Sequence, residues 1–304
     1  MVRLTSRFLI AVAFLLPLPL MATGEKLVVK AEFAREGEFI AFGYDALWMM
    51  KGHNLVRVAA ADNSVTDTVI EGTTGEFRGV AVGEGAVWIP DSGARRVFKV
   101  DPATRKVVSS FDAAMFGFQG SIGVGDGSVW IVTVGKPPVL TRFSAATGAE
   151  EASIPLPAAG FGVVAAHGSV WLTSPNKNVV YRVDAKTNAL VATIPVGKQP
   201  RFIASGEDSI WVFNKGDGSV QRIDGKTGAV VATIDAKLRG LNGDIAVGGG
   251  YVWVSVNILT VGQIDPTTNT LVRRFDSESF LQVRYGAGSL WGSGTVIRRT
   301  EAPH

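Results

Sequence analysis

The chain has 304 residues, of which 46% are hydrophobic, with 36 Gly, 13 Pro and no Cys. That apolar content fills one large core or two small ones, and the lack of Cys excludes both a disulfide framework and a lipidated-cysteine anchor. Of the formal charge of +3, Arg3 and Arg7 near the start supply two units, and the other Lys and Arg are scattered singly. Without a basic, aromatic-interleaved patch, nucleic acid is not an expected partner.

Residues 1–22 differ from the rest. Arg3 and Arg7 form a short basic region, followed by a nearly uncharged apolar run from Phe8 to Met21 that contains Pro17 and Pro19. The run is shorter than the ~20 residues of a comfortable membrane span. It reads as a secretory signal cleaved near Ala22, although Leu20 is larger than the residue preferred two positions earlier. The expectation is a periplasmic or secreted protein, not inserted in a membrane once the leader is removed, with residues 23–304 as one domain.

From residue 48 onward the chain repeats. Trp48, Trp88, Trp130, Trp171, Trp211, Trp253 and Trp291 are spaced by 40, 42, 41, 40, 42 and 38 residues. Before each Trp comes an apolar run and a Gly-rich turn, as in GVAVGEGAVW ending at Trp88 and IGVGDGSVW ending at Trp130. After it come a variable loop and a strand such as VFKV (97–100) or VYRV (180–183). Next is a turn: DPAT from Asp101, DAKT from Asp184, DGKT from Asp224 or DPTT from Asp265. A last strand follows, such as KVVSSF (106–111) or AVVATI (229–234).

In those turns the leading Asp accepts hydrogen bonds from backbone N–H groups two or three residues on. Gly148, Asn188, Gly228 and Asn269, after the Thr, supply the left-handed residue that a short hairpin needs. Each unit is therefore four short antiparallel strands, with no segment of helical period. Seven such units predict an all-β, seven-bladed β-propeller. The seventh unit has only Thr295–Arg298 after its Trp strand, and one spare strand, Lys26–Lys30, precedes the first unit. The N-terminal strand is expected to complete the last blade and close the ring, which removes an exposed edge.

The motifs GDGSVW (125–130) and VQRIDGKTGAVVATI (220–234) resemble those of the streptogramin lyase (virginiamycin B lyase) and YVTN-type propeller families, across essentially the whole chain after the leader. The resemblance implies the same seven-bladed fold. For activity it implies a lyase that uses a His base, nearby acids and a magnesium ion in the late blades. This chain departs from that pattern: its histidines are His53, His167 and His304, and only the terminal one follows blade four.

In a propeller the loops entering the innermost strands and those leaving the Trp strands surround the channel on one face. Counting back ten residues from each Trp gives Glu38, Arg78, Gly120, Phe161, Arg201, Gly243 and Leu281. Nine back gives Phe39, Gly79, Ser121, Gly162, Phe202, Asp244 and Gln282, with Gln119, Asn242 and Arg284 close in register. The expected ligand-binding set is Arg78, Arg201, Glu38, Asp244, Asn242, Gln119, Phe161 and Phe202, in a mouth ringed by Phe39, Phe77, Phe161, Phe202 and Phe280. Arg78 and Arg201 offer forks for a carboxylate or another anion. Alternatively they pair with Glu38 and Asp244 and neutralise the channel.

Glu38, Asn242 and Asp244 also have the oxygen chemistry of a divalent magnesium or calcium site. The first reading needs no cofactor: a monomeric, non-catalytic propeller that binds a protein partner or a small anionic ligand. The alternative is a metal-dependent lyase or lactonase.

The loops after the Trp strands carry His53, Asp91, Arg95, Lys136, Asn176, Lys177, Asn214, Lys215, Asp217 and Asn257. These vary between blades and are read mainly as solvated residues on a rigid scaffold, where recognition is commonly placed. Arg57, Arg142, Arg182 and Arg222 recur on the third strands and are expected to cover blade faces with their stems.

Overall fold

The computed structural model describes residues 25–35, 39–77, 79–113, 122–133, 137–240, 242–256, 260–277 and 280–304. The leader, Glu38, Arg78, Gln119, Lys136 and Asn257 lie outside them. Among the described residues the strands form seven antiparallel sheets ordered as the sequence predicts. Blade one runs Ala41–Gly43, Ala46–Lys51, Asn54–Ala59 and Val65–Val69 from channel to rim. No helix among these residues is long and apolar enough to cross a membrane.

Each Trp sits on the second strand of its blade and is at most 1% exposed. At about 25 cal/mol per Å², burying a side chain of this size contributes roughly 4–6 kcal/mol before entropy is charged. Its indole N–H donates to the carbonyl five residues back, from Trp48 to Gly43 through Trp291 to Gly286. The polar atom of the ring is thus satisfied inside its own blade, which frees the apolar faces to pack between blades.

The third-strand cations do more than cover a face. Arg142, Arg182, Arg222 and Arg299 lie over the Trp of their own blades, 4.8–5.2 Å from the ring centres. Each then donates from Nη1 to a carbonyl in a turn of the next blade: Ala185, Lys226, Pro266 and Ala60. Lys99 does the same toward Ala145. Gln263 takes this register opposite Trp253 and donates to the Pro303 carbonyl. In these blades the stacked cation is therefore also a clasp between neighbours, whereas Arg57, 5.7 Å over Trp48, makes no such bond among the described residues.

Closure occurs as expected, with different strand limits. Val29–Phe33 pairs antiparallel with Ile297–Glu301 and completes blade seven. Ahead of it, Glu25–Lys26 pairs parallel with the outer strand of blade six. Leu27 explains the division: it is buried with Phe275 and Phe280 at the seam of blades six and seven, so the chain turns there. The last seam is tight, since a Cβ on Gly286 of blade seven would collide with Phe42 of blade one.

Candidate ligand-binding site at the channel mouth

The innermost strands bring one register of all seven blades around the channel. Six of the residues nine positions before a Trp (Phe39, Gly79, Gly162, Phe202, Asp244 and Gln282) line a single cavity of about 110 Å³. Ser121, the seventh, lies outside the described residues. Phe161 and Arg201, ten positions back, also line it, and Ile40, Val80, Ile122, Val163 and Ile203 supply its apolar wall. In every blade the Trp pairs with the innermost-strand residue seven positions before it, which puts equal registers at equal depth, so the Trp spacing locates the wall.

Of the expected binding residues, Phe161, Phe202, Arg201 and Asp244 are brought together. Asn242 is exposed and does not line the cavity. Two of the expected rim aromatics are elsewhere. Phe77 is buried between blades one and two, with a bridge to Asp91. Phe280 is packed against Gly292 in blade seven. Both face neighbouring sheets because the apolar seam takes a ring more favourably than the solvated mouth does.

The pairing of Asp244 with Arg201 is corrected by the structure. The Asp244 carboxylate accepts from Arg284 Nη1 and from the backbone N–H groups of Ile245 and Val283. Arg284 also donates to the Val283 carbonyl. Both lie on adjacent innermost strands of blades six and seven, whereas Arg201 starts blade five. Burial pushes the Asp244 carboxyl up from the usual carboxylate range, opposed by the Arg284 charge and these donors. Gln282 is also engaged, its Oε1 accepting from Ile40 N at 2.7 Å across the seam of blades seven and one.

Arg201 is different. Its guanidinium lies 4.3 Å over the Phe161 ring, which meets Phe202 edge-on at 6.4 Å. Its Nε is buried without a hydrogen-bond partner, and no carboxylate among the described residues forms an ion pair with it. Burial lowers its pKa from the usual arginine value, yet a guanidinium stays protonated at ordinary pH. The result is a partly buried cation over an aromatic ring at the cavity wall.

Of the oxygen donors considered for a divalent cation, Glu38 lies outside the described residues. Asp244 is held by a guanidinium and Asn242 is turned to solvent. No group of three His, Asp or Glu among the described residues is arranged to hold a metal.

Among the loop residues, Asp91 is not solvated. It is fully buried and accepts from the backbone N–H groups of Thr74 and Ala94 and from the Thr74 hydroxyl, tying the entry loop of blade two to its Trp strand. Asn214 is buried too, bonded to Ser219 and Gln221. His53 is exposed and bonded to Thr73. His167 occupies a left-handed turn position at φ 55° and packs against Gly225. The ring of His304 lies near Tyr251. None of the three lines the cavity.

No protein family and no curated protein matches the chain. Solved structures do match in fold. A streptogramin B lyase structure superposes with TM-score 0.73 at 16% identity, over 90% of this chain and 96% of that one. Virginiamycin B lyase from Staphylococcus aureus gives 0.70 at 12% identity, over 90% and 98%. A chain of the mitotic checkpoint complex gives 0.76 at 10% identity, over 100% and 99%. Identities this low establish a shared propeller architecture, and the architecture alone.

Proposed function

We propose that this chain is an exported, non-catalytic propeller that binds an anionic group at the channel mouth. The group belongs either to a small ligand or to an acidic side chain or terminus of a protein partner. The observation that carries the reading is the Arg201 guanidinium on Phe161, without an ion-pair partner among the described residues and facing the channel cavity. A partly buried, hydrogen-bond-competent cation favours an anion that completes its donors. The other polar groups of the wall, Asp244 with Arg284 and Gln282 with Ile40, already serve the scaffold.

Export rests on the leader-like segment. Function as a monomer, without cofactor or nucleic acid, is part of the same reading. Protein-complex membership of one similar propeller supports a protein as the source of the anion. The likeness to lyases favours the second reading, a lyase or lactonase, but the described residues of the wall hold no free titratable base beside a metal-binding set.

The test is a thermal-shift series with acetate, longer carboxylates and inorganic phosphate, on the wild type and on Arg201→Ala. A ligand specific for the folded state adds about 2.7 kcal/mol of stability at 100 times its Kd. At least one anion is expected to raise the melting temperature of the wild type alone. A series without any shift, or shifts that survive in Arg201→Ala, would sink the proposal.

A further inference from the structure

Four described polar side chains line the channel cavity: Arg201, Asp244, Gln282 and Arg284. Each acceptor oxygen among them is already engaged. Asp244 Oδ1 accepts from Ile245 N, and Oδ2 accepts from Arg284 Nη1 and Val283 N. Gln282 Oε1 accepts from Ile40 N at 2.7 Å. That bond also sets which way the amide is turned, because a backbone N–H must meet the oxygen and not the –NH₂.

The donors, by contrast, are left over. Gln282 is only 5% exposed, and its Nε2, with two N–H groups, bonds to no described residue while its oxygen serves Ile40. Arg284 spends Nη1 on Asp244 and the Val283 carbonyl, and its Nε and Nη2 have no partner among the described residues. Arg201 donates to none of them, and its Nε is buried. The backbone positions are fixed: the Arg201 carbonyl accepts from Thr173 Oγ1 and lies 2.9 Å from where a Cβ on Gly162 would stand. A buried donor is left at a cost unless something brings it an acceptor. Two guanidinium groups and one carboxylate leave these four side chains one positive charge in excess, which one carboxylate balances.

Resting on the mouth reading above, we infer that the ligand is a small monocarboxylate with a second, uncharged oxygen acceptor, that is, an oxo acid. Its carboxylate lies on Arg201 of blade five and its second oxygen on the Gln282 amide of blade seven, where Arg284 offers a further donor. At ~30 Å³ per water, the cavity of about 110 Å³ has the room of a few waters, which suits a molecule of this size. An apolar group in place of the second oxygen would leave the Gln282 N–H groups unmet. An ammonium there would in addition face the guanidinium charges.

Calorimetric titration of the purified protein with two sets of carboxylates tests this. The short set is pyruvate, isobutyrate and alanine; the long set is 4-oxopentanoate, 4-methylpentanoate and 4-aminopentanoate. Within a set the molecules share one frame and differ in carrying an oxygen, a methyl or an ammonium. In the set whose length fits, the oxo acid is expected to bind about two- to tenfold tighter than its methyl counterpart, the effect of a hydrogen bond. The amine is expected to bind weakest. Arg201→Ala should weaken the oxo acid by roughly ten- to a hundredfold. Gln282→Glu keeps an oxygen for Ile40 N but replaces the –NH₂ by an acceptor, and should abolish the oxo preference and favour the amine. Gln282→Met, similar in size and without a donor, should bring the oxo and methyl compounds level.

If the oxo and methyl compounds bind alike in both sets, or the oxo preference survives in a folded Gln282 variant, the acceptor end is overturned and the mouth reading stands. Wild type that binds no carboxylate, or Arg201→Ala that binds like wild type, overturns both readings. Circular dichroism of each variant separates loss of binding from loss of fold.

Discussion

Replacing Arg222 by alanine removes five interactions, of which two are longer bonds to Asn269 Oδ1 at 3.3 Å and the Glu207 carbonyl at 3.4 Å and three are closer. Nε donates to Ser209 Oγ at 2.8 Å, Nη1 donates to the Pro266 carbonyl of blade six at 2.6 Å, and the guanidinium lies 5.2 Å over Trp211. A hydrogen bond from a charged donor contributes about 1.5–3 kcal/mol, and a partly exposed cation over an indole about 0.5–1 kcal/mol. Ser209 keeps a second bond to the Glu207 carbonyl, so its loss adds little. The expected cost is about 2–4 kcal/mol, or roughly 5 °C or more in melting temperature for a chain of this size. Arg222→Lys keeps the charge but not the fork, and should cost about half as much.

Urea unfolding monitored by tryptophan fluorescence measures both variants. Arg96→Ala is the control, because its pairing with Asp112 is solvent-exposed on both sides and such pairs contribute below about 1 kcal/mol. If Arg222→Ala is no more destabilising than Arg96→Ala, the clasp is not a stabilising element and the reasoning fails.

Two further predictions concern charge. The carboxyls of Asp101, Asp184, Asp224 and Asp265 are held below the usual range, chiefly by the backbone N–H groups of Thr104, Thr187, Thr227 and Thr267. A depressed native value means that the linked stability is present above the ordinary Asp pKa of about 3.9 and is lost as pH falls through the native values. Melting temperatures taken from about pH 5 down to about pH 2 should therefore fall less steeply in the double variant Asp184→Asn, Asp224→Asn; equal slopes would refute the linkage. Arg284→Ala leaves Asp244 without its cation and should cost about 2–4 kcal/mol, a figure discounted because the Arg284 side chain is 31% exposed. Adding Asp244→Asn should recover part of that loss in the same denaturation assay, and a double variant no more stable than the single one would contradict the pairing.

The repeated parts of this molecule were legible in the sequence because each is decided locally. A Trp strand, an Asp-led turn and an Asn or Gly at positive φ (57° at Asn188, 76° at Gly228) depend on residues within one hairpin. Equal spacing then set the depth of each innermost strand, which is why Phe39, Phe202, Asp244 and Gln282 were found at the channel wall by counting alone. What counting could not supply is any contact between blades. Asp244 takes Arg284 rather than Arg201, the third-strand arginines reach the next turn along the ring, and Leu27 splits the closing strand at a seam. Asp91, one of many polar residues in variable loops, is buried because Thr74, from the preceding loop, covers it. Partner choice across a seam depends on side-chain direction and on the distance between sheets. Those exist only once the ring has closed, and among the described residues they leave Arg201 at the mouth without an ion-pair partner.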